Sequence, residues 1–308
     1  MKRFLFYMHR LFNWRHYNAP VKPRNITLKP RHYFNNIHFT EYPMYLGLWL
    51  FLFVFSFLLY LNKYSYIKEY MLVASLIGLT YVIFQWFYAL MVESSMLGRY
   101  NRKVSSSLVF GFFLFLLSEI MLFAGFFWSF FDRIFFVSYA TFDLSYFNGV
   151  ELIRWYKVPL VATIVLVASG FTLNYAYYLL KVQSYDYSIL FLLVTETFAY
   201  VFIILQVEEY LELTFTISDN VYCSLFFLLT GFHGMHVLVG TIFILVTHER
   251  VYLSHFSNKK MIGFGLALIY WHFVDIIWIF LFFFIYILNN WDFLYISQLN
   301  SDLFFYSI

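Results

Sequence analysis

The chain has 308 residues, 62% of them hydrophobic and only 12% charged, with a formal net charge of +3. A soluble domain carries about 25% charged residues, so this composition excludes one and indicates a polytopic, all-α membrane protein. The single cysteine, Cys223, excludes an internal disulfide framework and any cysteine-based metal cluster.

Residues 1–42 form the only long polar segment, with eight Lys or Arg against one acid, Glu41. No short apolar core with a small-residue cleavage site follows, which excludes a secretory signal. A transit peptide would also be basic and poor in acids, but few serines are present and Pro20, Pro23 and Pro30 interrupt a helix. The reading is therefore a retained basic arm.

Seven apolar segments follow, at 43–61, 71–91, 104–131, 158–180, 187–207, 221–246 and 262–288. Each is near or above the ~20 residues that cross a bilayer as a helix. None contains Lys or Arg, so every positive charge can be assigned to a side. Fifteen of the 20 fall with the N-terminal arm and five opposite. The positive-inside rule then puts the N-terminus in the matrix or cytoplasm and the tail 289–308 outside. Glu208, Glu209, Glu212 and Asp219 are expected on an outer loop. Small residues recur every seven positions on the third segment (Gly111, Ser118, Gly125) and the fourth (Ala162, Ser169, Ala176), with Gly263 and Ala267 on the seventh. Such spacing lets helix backbones approach closely.

The only acids inside these spans are Glu119, Glu196 and Asp275. Ionisable groups in lipid are costly and should turn inward to partners. Glu119 lies mid-helix among Leu, Met and Phe, where desolvation favours its neutral, hydrogen-bond-donating form. His233 and His236 are three apart, as are His272 and Asp275, so each pair shares one helix face.

Several motifs are those of a known family. FTISDNVY, TGFHGMH and YWHFVDIIW, in that order, resemble the last two membrane helices of subunit 3 of mitochondrial cytochrome c oxidase. The third segment resembles that family's third helix through its SExxxFxGFFWxF pattern, carried by Ser118 to Phe130. Gln85–Trp86 and Glu93 match the second helix and the loop after it, VPLVATIVLVASGFTLNYA matches the fourth, and LQVEEYLELTFTISDN, with Glu209, matches the end of the fifth.

The resemblance implies seven helices in a 2 + 5 arrangement, 43–91 and 92–288, around a lipid-binding cleft. It implies a non-redox subunit that packs on oxidase subunit 1, beside subunit 2 and accessory subunits, with no nucleic-acid partner. Haem a and copper are expected in the partner subunits and none on this chain, and structural phospholipids in the cleft. By the same resemblance Glu119 is the carbodiimide-reactive, proton-related glutamate. His233, His236, His272, Asp275 and Glu209 form the intramembrane polar network. Trp86, Glu93, Arg99, Arg102 and Arg250 are the expected lipid contacts. The family's cleft arginines are replaced by Val92 and Val109, and Glu196 has no counterpart in the family. Other readings stay open on the residues alone: a haem or metal protein using His233, His236, His272 and Asp275, a transporter built round the three intramembrane acids, and the corresponding subunit of a quinol oxidase.

Overall fold

The computed structural model describes residues 40–62, 68–95, 100, 102–132, 153–256 and 261–288. The basic arm up to residue 39, the tail 289–308 and Arg99 lie outside the described residues. Seven helices long and apolar enough to cross a membrane occur among those described. They are α1 (Tyr42–Leu61), α2 (Lys68–Ser95), α3 (Arg102–Phe131), α4 (Val158–Lys181), α5 (Tyr185–Glu212), α6 (Val221–Tyr252) and α7 (Ile262–Leu281), the last continued by a π-helical segment, Phe282–Leu288. No strand is present among the described residues.

Local chemistry sets the ends. Pro43 and Pro159 sit in the first turns of α1 and α4, where a missing N–H costs nothing. Asn220 caps α6 by accepting the Cys223 N–H at 2.7 Å. Gln183 and Ser254, at φ 65° and 55°, end α4 and α6 in the left-handed region. Behind them the Ser184 N–H reaches the Leu179 carbonyl and the His255 N–H the Arg250 carbonyl, which closes both helices in Schellman motifs. The fifth and sixth spans therefore run further than their apolar stretches. Charged residues need to leave the lipid but not the helix, so α5 reaches Glu212 and α6 carries His248, Glu249 and Arg250 in its last turns.

The chain divides into two compact units, Met1–Val104 and Ser105–Ile308. In the first, α1 and α2 run antiparallel. The Ser56 and Ser75 hydroxyls bond at 2.9 Å, and Gly78 gives the Trp49 ring its space. In the second unit the contacts fix alternating directions. Thr172 meets Thr195 between α4 and α5, Tyr210 meets Thr230 between α5 and α6, and His233 meets Val274 between α6 and α7. Phe126 faces Phe232 and Phe131 faces Phe284, which place α3 antiparallel to α6 and parallel to α7.

The small residues of α4 behave as expected: Ala162, Ser169 and Ala176 are buried. Trp271 donates its indole N–H to Ser169 Oγ at 2.8 Å, and Trp278 donates to Thr163 Oγ1 at 2.9 Å. The large rings of α7 thus lie on the thin face of α4. Gly111, Ser118 and Gly125 of α3 do not make the second such interface within the described residues, since all three face outward.

Candidate functional site

The buried acids and histidines of the second unit make polar contacts between helices. On α3, Glu119 Oε2 lies 2.8 Å from His236 Nε2 of α6, with side chains only 20% and 7% exposed. His236 Nδ1 is 2.6 Å from the Phe232 carbonyl. A carbonyl only accepts, so Nδ1 carries a proton. Nε2 and Oε2 then hold one proton between them, whether written as neutral acid and imidazole or as carboxylate and imidazolium. Either way the pair is net neutral, as a low-dielectric site requires. Phe123, whose ring centroid is 5.2 Å from that of His236, covers one side.

His272 and Asp275 join α7 to α4. Asn174 donates its amide to His272 Nε2 at 2.9 Å, and the ring's Nδ1–H points at Asp275 Oδ2 at 3.3 Å. Gly170, one turn before Asn174, makes this approach possible, because a Cβ there would stand 2.6 Å from Asp275 Oδ2. His233 is separate and wholly buried. It donates Nε2–H to the Val274 carbonyl at 3.3 Å and lies against the rings of Trp278 and Phe202.

Glu209 departs from its expected loop position. The helix continues past it, and its side chain turns inward, where Tyr286 donates to Oε1 at 2.6 Å. Glu208 and Glu212 face outward. Only Asp219 of the four expected loop acids lies in a loop, the turn before α6. There it accepts the N–H and O–H of Thr216 at 2.6 and 2.7 Å, and these bonds hold its carboxyl below the usual carboxylate value.

One further contact was not foreseen. Glu196 Oε1 of α5 meets His248 Nδ1 of α6 at 2.7 Å, with Glu196 only 5% exposed. Glu196 stood out in the sequence as an acid with no evident partner. His248 did not, because the apolar stretch ends before it. Asn174, Gly170 and Tyr286 were also not singled out, and only their packing partners reveal them.

The residues expected to touch lipid fall in both units. Trp86 and Glu93 are partly buried on α2 and Arg102 is exposed, all in the first unit. Arg250 belongs to the second, with its guanidinium 4.3 Å from the centroid of the Phe256 ring. It also sits beside His255, whose pKa is lowered by burial and then by the Arg250 charge.

His233, His236 and His272 do not converge on a common point among the described residues. Both nitrogens of His236 and of His272 are committed within the chain, as is Nε2 of His233. No three His, Cys, Asp or Glu side chains among the described residues are grouped to hold a metal ion.

The family model for cytochrome c oxidase subunit III matches residues 32–291. The chain belongs to the cytochrome c oxidase subunit III family. A subunit 3 from Prototheca wickerhamii is 35% identical over 256 residues, 83% of this chain and 97% of that protein. Those from Arabidopsis thaliana and Aedes aegypti are 37% and 39% identical over 211 residues, 68% of this chain and 80% and 79% of theirs. As a member of the subunit III family, with seven apolar helices, the chain is a multi-pass membrane protein of the terminal oxidase.

Proposed function

We propose that this chain is the non-redox core subunit 3 of a cytochrome c oxidase in the mitochondrial inner membrane, packed on subunit 1 and accompanied by subunit 2 and accessory subunits. The substrates of the complex are cytochrome c, oxygen and protons, and this chain works on none of them directly. Its part is to stabilise the catalytic subunit, to hold phospholipid and to sustain proton uptake. Haem a and copper belong to the partners. The observation that carries the non-redox reading is the commitment of His236, of His272 and of Nε2 of His233 to carboxylate, amide and carbonyl groups of the same chain. Such a donor set does not suit a ligand sphere.

Glu119 is the proton-related group in this reading, since it shares a proton with His236 in an otherwise apolar helix. Trp86, Glu93, Arg99 or Arg102, and Arg250 are the residues proposed to contact phospholipid. Arginine at headgroup depth grips phosphate with two donors. The N-terminus lies in the matrix and the C-terminus in the intermembrane space.

A tag on this chain and purification in mild detergent test the assignment. A particle containing haem a and a copper-bearing subunit 2 is expected. Recovery with a quinol-oxidising partner lacking that copper, or with no oxidase at all, would overturn it.

A further inference from the structure

One face of α7 turns away from the bundle, and it is apolar except at His272. Ile262, Ile276 and Ile279 are exposed along it, and the His272 side chain, 36% exposed, falls on the same helical stripe. Across the seam to α4, Asn174 is exposed too, and it donates one amide N–H to His272 Nε2 at 2.9 Å. Its second N–H and its carbonyl oxygen make no hydrogen bond among the described residues. The seam therefore presents an accessible donor and an accessible acceptor, side by side, on the surface of the second unit.

Their depth decides what can answer them. Asn174 comes seven residues before Lys181, the last of α4, and His272 ten after Ile262, the first of α7. At ~1.5 Å per residue, both lie on the order of 10–15 Å in from those helix ends. That is inside a hydrocarbon layer ~30 Å thick, while the exposed Tyr178 and Lys181 suit the headgroup level nearer the end. Acyl chains neither donate nor accept hydrogen bonds, so an amide left facing them is costly. Another polar side chain at the same depth removes that cost. Gly265, two turns before His272 on the same stripe, has only the Tyr177 hydroxyl near the place of a Cβ, at 3.8 Å, which leaves room for a neighbouring helix to approach.

We propose that this face of α4 and α7 is covered by a membrane helix of another oxidase subunit. That helix presents a hydroxyl, amide or carboxyl side chain to the free half of the Asn174 amide, with the exposed isoleucines packing on either side of the bond. The proposal rests on the reading of this chain as an oxidase subunit and adds to it the surface used and the chemistry of the contact.

A density map of the particle purified through a tag on this chain tests it. A side chain of another subunit is expected within ~3.2 Å of the Asn174 amide. Acyl chains, water alone or a segment of this same chain against Asn174 in an intact oxidase would overturn the proposal and leave the assignment standing. Recovery with no oxidase subunit would overturn both. Asn174→Leu gives a second readout, because the two environments respond differently. Against lipid, an apolar side chain is no worse than an amide, and the chain stays with the particle as before. Against a polar partner, the ratio of retained to released chain in mild detergent should fall about threefold, the effect of an average hydrogen bond between membrane helices. Unchanged retention overturns the proposal, and should the variant fail to assemble, the map of the unaltered particle decides.

Discussion

Glu119 and His236 show how a membrane helix tolerates a carboxyl. Each group alone would be a buried charge or an orphan, and together they hold a single proton in a neutral pair. Glu119→Gln keeps a donor facing His236 Nε2. This variant is therefore expected to assemble normally and to retain oxygen consumption within about twofold, while losing labelling by a hydrophobic carbodiimide. Loss of most oxygen consumption in an assembled enzyme would make Glu119 catalytic instead. His236→Leu removes the partner and should cost on the order of 3 kcal/mol of stability, read as a lower melting temperature of the complex. His255 gives a pH dependence of definite sign. Burial, then the Arg250 charge, lowers its folded pKa from 6.5. The unfolded chain therefore takes up this proton first as pH falls. The neutral ring's contribution is complete above 6.5 and is lost as pH drops through the folded value. His255→Gln should flatten this part of the stability profile, and an unchanged profile would count against it.

Between helices, one glycine decides whether α4 and α7 can join. A methyl group at Gly170 would meet Asp275 Oδ2 at 2.6 Å and His272 Cε1 at 3.2 Å, in a place already closed by Asn174 and Trp271. Gly170→Ala should cost about 1–3 kcal/mol, the usual range for overpacking. Gly111→Ala on α3, where nothing lies within 4 Å, should cost far less in this chain. The same contrast marks what the sequence could show. Helix number and placement were legible, because ~20 apolar residues without Lys or Arg have few alternatives in lipid. Heptad spacing on α3 and α4 looked alike, and only packing shows that one faces α7 and the other faces outward. The HxxH and HxxD pairs announced inward-facing groups, but partners more than 90 positions away, such as Glu119 or Asn174, leave no local signal. The end of α6 was hidden because hydropathy stops where charge begins, although the helix does not. That is why His248 and its contact with Glu196 escaped notice.

At the scale of the whole molecule, burial is uneven. In the apolar windows of α1, α2 and α3 only 6%, 11% and 11% of residues are buried by the chain itself, against 33–56% in α4 to α7. The first three helices therefore leave most of their apolar surface to lipid or to neighbouring subunits, as suits a component of a larger membrane complex. Direction is the property this architecture leaves to charge. Helices alternate within each unit, and an odd number of spans, seven among the described residues, is the number expected to put the two ends of a chain on opposite sides of a membrane. Nothing in the apolar helices themselves selects which end is inside, since their spans are free of Lys and Arg. The selection is expected to rest on loops and tails, where the order of the spans assigns fifteen of the 20 positive charges to the side of Arg10. The bias does not depend on the arm alone: Arg99, Arg102, Lys103, Lys181, Arg250, Lys259 and Lys260 are expected on that side, against five opposite. Arg10 is accordingly expected in the matrix and Asp302 in the intermembrane space. A protease site introduced at Asp302 should be cut once the outer membrane alone is opened, while one at Arg10 stays protected until the inner membrane is breached. The reverse pattern would mean that the charge bias does not set the orientation of this chain.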